Sequence, residues 1–310
     1  AASWVLKPCA LFMVILSFFP VLTAAAALQA VAASALATNL RRPSEAAEAV
    51  TSNAIAKSIS SEPSCKALVL TTYFTSVPDW QRGGTPLQKA NPMVVHSYYR
   101  RVMPIDGLTA ILIHDGLPDN IVKTLSEDGK FIFKKVDPWQ YDPNLGANDV
   151  RFLIFRDILQ NHPEFPVVFT TDLFDVKILR SPCSLVANSP GRLFVGSEVN
   201  SSFSGGWMRG RFEQLGGSYL SWYEQEVAKR DDKVPLFNAG VLGGKRQIYL
   251  EFLNDIIRVL EDPDVKARHG EKHQQVNVNM AALNYVVRSN ATRLMEVFTG
   301  HPLHSEFGAY

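Results

Sequence analysis

Two carboxylates three residues apart close an apolar run. The stretch V-V-F-T-T-D-L-F-D-V, residues 167 to 176, puts Asp172 and Asp175 where a buried strand would end. A strand that ends in acids carries negative charge to the carboxyl edge of its sheet, the edge at which open α/β sheets bind ligands. Paired carboxylates there call for a cation, and an all-oxygen donor set favours Mg2+, Mn2+ or Ca2+ over softer metals. An ion so held can grip a diphosphate. The same residues also fit a plain strand and acidic turn, with Asp172 capping the next segment.

The elements that must position these acids read as an alternation. Apolar runs predict strands over residues 66–73, 109–115, 130–137, 166–172, 192–198 and 235–244. Residues 148–160 are apolar on most sides and predict a buried helix. Tyr249, Phe252, Leu253, Ile256, Ile257 and Leu260 fall at helical spacing, as do Val276, Met280, Leu283 and Val287. Strands alternating with helices predict an α/β fold with a mostly parallel, Rossmann-like sheet flanked by helices on both faces.

At 310 residues and 46% hydrophobic, the chain suits one large α/β domain or two small ones. A net charge of +1 with no basic run interleaved with aromatics argues against nucleic acid as a partner. Cys9, Cys65 and Cys183 lack zinc-site spacing, and a Cys65–Cys183 bridge is left open by sequence alone. No charge interrupts Pro8 to Leu40, so residues 1–40 read as a signal-anchor that stays in the membrane or as a cleaved signal peptide. Either sends the rest into the secretory pathway, and N-S-S at Asn200 and N-A-T at Asn290 are matching glycosylation acceptors. Residues 41–64, rich in Ala, Ser and charge, read as a stem, and the globular part runs over 65–310.

No G-x-G-x-x-G follows the first strand and no G-x-x-x-x-G-K-[ST] is present, so neither a dinucleotide fold nor a phosphate-loop NTPase is supported. A phosphatase of the haloacid-dehalogenase type needs its acids two apart and early in the sheet. T-T-D-L-F-D-V, F-V-G-S-E, F-N-A-G-V-L-G-G, N-V-N-M-A-A-L-N-Y and G-H-P-L-H-S-E-F-G, in that order, resemble the GT-A-fold glycosyltransferases, with their D-x-D motif present as D-x-x-D. The likeness covers roughly residues 65 to 310.

The resemblance implies a donor site in which Thr71, Thr72, Tyr73 and Phe74 surround the nucleoside, with Tyr73 or Phe74 stacking on the base. It implies that Asp149 and Arg151, beside Asn148, bind the donor. Asp149 also suits a helix amino end by charge, and Arg151 also suits a surface ion pair. It further implies that Asp172 contacts the donor ribose or the metal and that Asp175 ligates Mn2+ or Mg2+ directly, with His304, rather than His301, as a third ligand. Asn238 and Gly240 mark the acceptor side, and Glu198 is a candidate general base or acceptor partner. Asn279 stands where relatives often carry an acid, and an amide accepts no proton at neutral pH. The implied activity is sugar transfer from a nucleotide-diphosphate donor to a hydroxyl of a glycan, protein or lipid, in the Golgi or another secretory-pathway membrane. A weak or inactive sugar-binding module of the same fold is the first alternative, and a metal-dependent phosphohydrolase the second.

Overall fold

The run A-L-V-L-T-T-Y has no polar side to show water, so it forms a strand buried on both faces, the habit of central parallel strands. In the computed structural model this is β1, Ala67–Tyr73. Residues 65–77, 90–126, 129–229, 235–272, 277–289, 295–298 and 306–309 are described, and all belong to the unit Ser61–Tyr310. The segments read as anchor or signal peptide and as stem lie outside them. Among the described residues no helix is long and apolar enough to cross a membrane.

The further strands are β2 (Leu108–His114), β3 (Phe131–Lys135), β4 (Val167–Thr171), β5 (Val176–Ile178), β6 (Leu193–Ser202), β7 (Pro235–Lys245), β8 (Met295–Phe298) and β9 (Phe307–Ala309). The helices are α1 (Pro92–Val102), α2 (Asp119–Leu125), α3 (Ala147–Gln160), α4 (Cys183–Asn188), α5 (Gly206–Leu215), α6 (Gly217–Ala228), α7 (Arg246–Leu260), α8 (Pro263–Lys272) and α9 (Asn279–Ser289).

Among the described residues seven strands form one sheet in the order β3-β2-β1-β4-β7-β6-β8, and β5 pairs with β9 apart from it. The first four are mutually parallel, β7 runs antiparallel to both its neighbours, and β8 is parallel to β6. The expected mostly parallel sheet is therefore present, with one reversed strand that the glycine-rich run at 235–244 did not announce. Leu68 and Leu70 face a core built with α3, α5, α6, α7 and α9, while Ala67, Val69 and Tyr73 face one built with α1 and α2.

The Gly243-Gly244 pair lies inside β7, opposite Phe169 and Val168 of β4. A Cβ on Gly243 would overlap the Phe169 ring and the Val168 carbonyl, and Gly244 holds φ +148°. Phe169 thereby reaches Phe194 and Phe307, ring centroids 5.8 and 5.1 Å away. Cys65 and Cys183 form a disulfide across 118 residues, Cα to Cα 6.0 Å, joining the entry of β1 to the start of α4. A bridge closing so long a loop stabilises chiefly by restricting the unfolded chain.

Candidate functional site

From β1 the chain builds outward to β2 and β3 on one side and to β4 on the other. That reversal opens a crevice beyond the carboxyl ends of β1 and β4, where ligands of open α/β sheets bind. Helices α3 and α9 precede β4 and β8, which share one direction, so both amino ends point to this edge.

Asp172, the first residue past β4, is held from two sides. Its N–H donates to the Gly240 carbonyl at 2.9 Å, and its Oδ1 accepts from Arg151 Nη1 at 2.5 Å. Arg151 is buried and Asp172 is half-buried, so the pair is a charge-assisted contact at the rim of the interior. Asp172 Oδ2 faces Gly240: a Cβ there would lie 3.3 Å from that oxygen and 2.7 Å from Asn238 Oδ1. Gly240 N–H donates to Asn238 Oδ1, and Asn238 Nδ2 donates to Glu198 Oε1. One line of contacts thus runs from Arg151 through Asp172 and Gly240 to Asn238 and Glu198. Asp175, three residues on, is exposed.

Asp149, in the first turn of α3, is fully buried and caps a different helix. Its Oδ1 accepts the N–H groups of Val278 at 3.0 Å and Asn279 at 2.6 Å, at the amino end of α9. Burial pushes its carboxyl up to about 7, against the pull of those two N–H groups and of Arg151. Its Oδ2, Arg151 Nε and both amide atoms of Asn277 are buried without a partner among the described residues. Asn279 Nδ2 donates to the Asn148 carbonyl at 3.4 Å, and its Oδ1 accepts from Met280 N–H at 2.6 Å, so this amide serves the α3–α9 junction.

A carboxyl whose folded pKa is raised favours the fold while protonated in both states and loses that contribution as pH rises from the ordinary aspartate range through about 7. Asp149→Asn, which keeps an acceptor for α9, removes the titration. Thermal unfolding at pH 5 and pH 8 is expected to show the variant gaining on wild type at the higher pH, by on the order of 1–3 kcal/mol.

The aromatic candidates sit otherwise than expected. Tyr73 is buried, its hydroxyl accepts the Asn91 N–H at 2.5 Å, and its ring meets Phe174 edge-on at 5.6 Å. Phe74 is buried in the core beside α3. Strand alternation turns Tyr73 toward the α1 face, so neither ring offers an open surface for a base. Thr71 is buried with its Oγ1 unpartnered, and Thr72, half-buried, alternates onto the α3 face. The next residues are fixed by Asp115 at the end of β2. Its carboxylate accepts from the N–H and hydroxyl of both Thr75 and Ser76, at 2.6 to 3.0 Å.

His301 and His304 lie outside the described residues. The strand after them, β9, pairs Ala309 with Val176 and Phe307 with Ile178, so its end rather than its beginning lies nearer Asp175. Among the described residues no three His, Cys, Asp or Glu are grouped to hold a metal. What fits a cation is the donor chemistry: carboxylate oxygens of Asp172 and Asp175, with Oδ2 of Asp172 in a cradle that a side chain on Gly240 would fill. Sequence reasoning passed over Arg211 and Asn277. Arg211 Nη1 donates to the Asn277 carbonyl at 3.4 Å, and burial, opposed by the Asp149 charge, pulls its pKa down.

No protein-family model matches this chain, and no curated protein matches it significantly. Solved structures resemble it distantly. Mouse xyloside xylosyltransferase 1, apo form, is 15% identical over 76% of this chain and 84% of that one, TM-score 0.41. The galactosyltransferase LgtC in complex with donor and acceptor sugar analogues is 13% identical over 78% and 86%, TM-score 0.42. A glycosyltransferase involved in glycosylation of the major capsid of PBCV-1 is 12% identical over 79% and 94%, TM-score 0.40. These neighbours are all glycosyltransferases.

Proposed function

We propose that this chain is a metal-dependent glycosyltransferase that moves a sugar from a nucleotide-diphosphate donor to a hydroxyl of a glycan, protein or lipid. The carrying observation is the convergence at one sheet edge of Asp172 on Arg151, of Asp149 with its unpartnered oxygen, and of the Glu198–Asn238–Gly240 line. Buried donors and acceptors that bind nothing within the fold suit a ligand rich in hydroxyls. Asp149, Arg151 and Asn277 supply such atoms and would hold the donor sugar. Asp172 and Asp175 would hold Mn2+ or Mg2+, which when bound takes up charge on the leaving diphosphate. Glu198, whose Oε1 accepts from the Asn238 amide, would take the proton of an incoming hydroxyl. Asp115, which holds Thr75 and Ser76, would keep the loop after β1 in one shape for the nucleoside. The apolar segment before Leu40 and the Cys65–Cys183 bridge support a lumenal domain in the Golgi or another secretory membrane.

A binding module without turnover is the second reading. It is favoured by the amides at Asn277 and Asn279, which cannot exchange a proton. The test is thermal unfolding of the full chain with UDP, GDP, ADP and CDP, each with Mn2+ and with chelator. A ligand at a hundredfold over its Kd adds about 2.7 kcal/mol, so one nucleotide is expected to raise Tm only with Mn2+. Asp175→Asn is expected to abolish the shift. No shift with any nucleotide would sink the transferase reading.

A further inference from the structure

We infer that the acceptor is a carbohydrate whose terminal pyranose ring rests on Trp207; this takes the transferase reading above as given. Met93, Trp139, Leu179 and Trp207 are the exposed large apolar side chains among the described residues. A lone exposed apolar residue needs no explanation. Trp207 stands apart because a chain of contacts joins it to Asn277, whose amide is buried without a partner.

The indole is 45% exposed in the first turn of α5. Four residues on, Arg211 lies with its guanidinium carbon 5.0 Å from the ring centroid. The same guanidinium donates to the Asn277 carbonyl at 3.4 Å. Asn277 precedes the two N–H groups bound by Asp149, and both atoms of its amide are buried without a partner. Trp207 is thus two contacts from the group proposed to hold the donor sugar. Topology agrees: α5 follows the carboxyl end of β6, and β6 runs in the direction of β4, so the indole stands at the edge that carries Asp172 and Glu198.

A pyranose has a face of C–H bonds that packs on an aromatic ring, while its hydroxyls stay at the rim for polar partners. A serine or threonine of a peptide offers the hydroxyl without that face. Arg211 against the indole fixes the plane of the ring before a ligand arrives, so little freedom is lost on stacking. On the transferase reading, a ring bound here, two contacts from Asn277, is assigned as the sugar that receives the transfer.

The test is saturation-transfer NMR on the full chain with methyl β-glucoside, β-galactoside, β-xyloside and α-mannoside, lactose, cellobiose and a Ser/Thr-rich peptide, with Mn2+ and the nucleoside diphosphates present. At least one glycoside is expected to bind, with Trp207→Ala weakening it about tenfold and Trp207→Phe less. Both variants are expected to keep wild-type Tm and wild-type nucleotide affinity, since the side chain is exposed and touches none of the residues proposed to hold the diphosphate. Glycoside binding unchanged in Trp207→Ala, no glycoside bound at all, or the peptide bound instead overturns the assignment. Failure of the transferase reading looks different, because it removes nucleotide binding in wild type whatever the glycosides do.

Discussion

Asp172→Asn is expected to lower the rate of sugar transfer by on the order of a thousandfold while leaving Tm close to wild type. The amide is isosteric and keeps an oxygen for Arg151 Nη1, so the buried guanidinium retains an acceptor. What it loses is charge, at the position proposed both to balance Arg151 and to hold a cation. Asp172→Ala separates these roles. It strands Arg151, which is buried on its own side, and is expected to cost about 1–3 kcal/mol of stability in addition to the activity. The lower part of that range is the better guide, because Asp172 is itself partly exposed to water. Initial rates with a nucleotide-sugar donor, set beside unfolding curves of both variants, make the comparison. An Asp172→Asn enzyme working within about tenfold of wild type would remove this residue from the chemistry.

Gly243→Ala is expected to be the most damaging single-methyl change in the fold, costing at least about 3 kcal/mol. The added carbon would overlap both the Phe169 ring and the Val168 carbonyl on the neighbouring strand. Trimming Phe169 relieves only the first clash; the second is with backbone and can be relieved only by parting β7 from β4. Since the Gly240 carbonyl of β7 also receives the Asp172 N–H, parted strands misplace the site as well. Gly210→Ala is the matched control, because nothing lies within 4 Å of its added carbon and it sits in helix α5. There the change is expected to be neutral or to stabilise by up to about 1 kcal/mol. Urea denaturation of the two variants checks both values.

The strands and the two acids were legible because they depend on local pattern. Residues 166–172 read as a strand ending in Asp172, and β4 ends at Thr171 with Asp172 next. The helix read at 148–160 is α3, buried almost all round as its apolar surface required. Direction was not legible, because an apolar run such as L-F-N-A-G-V-L looks alike whether parallel or antiparallel, and β7 is reversed. The three-residue strands β5 and β9 are too short to show a period.

The candidate residues could be singled out by type and spacing, but their partnerships could not. Asp149 was expected at a helix amino end, yet the helix it caps is α9, 130 positions along the chain, beyond the reach of any spacing rule. Glu198 and Asn238 were singled out separately, and only the pairing of β6 with β7 brings them together. Tyr73 shows the opposite failure. Its type suits base stacking, but the period of two that put Ala67 and Val69 against α1 puts Tyr73 there too, and that much could have been read in advance. Trp207 and Arg211 carried the one available signal, a spacing of four on a helix, which is as common in packing as in binding.

The Cys65–Cys183 bond also decides how the molecule would answer a pull on its two ends. Tension entering at Cys65 crosses the sulfurs to Cys183 and bypasses every residue between them. β1 to β4 and Asp172 lie inside that shielded loop, whereas β6, β7 and α9, which bring Glu198, Asn238 and Asn277, lie along the strained path. Drawn out by force, the chain would surrender the half of its crevice that carries Glu198 and Asn238 while the half bearing the paired acids stayed tied behind the covalent link.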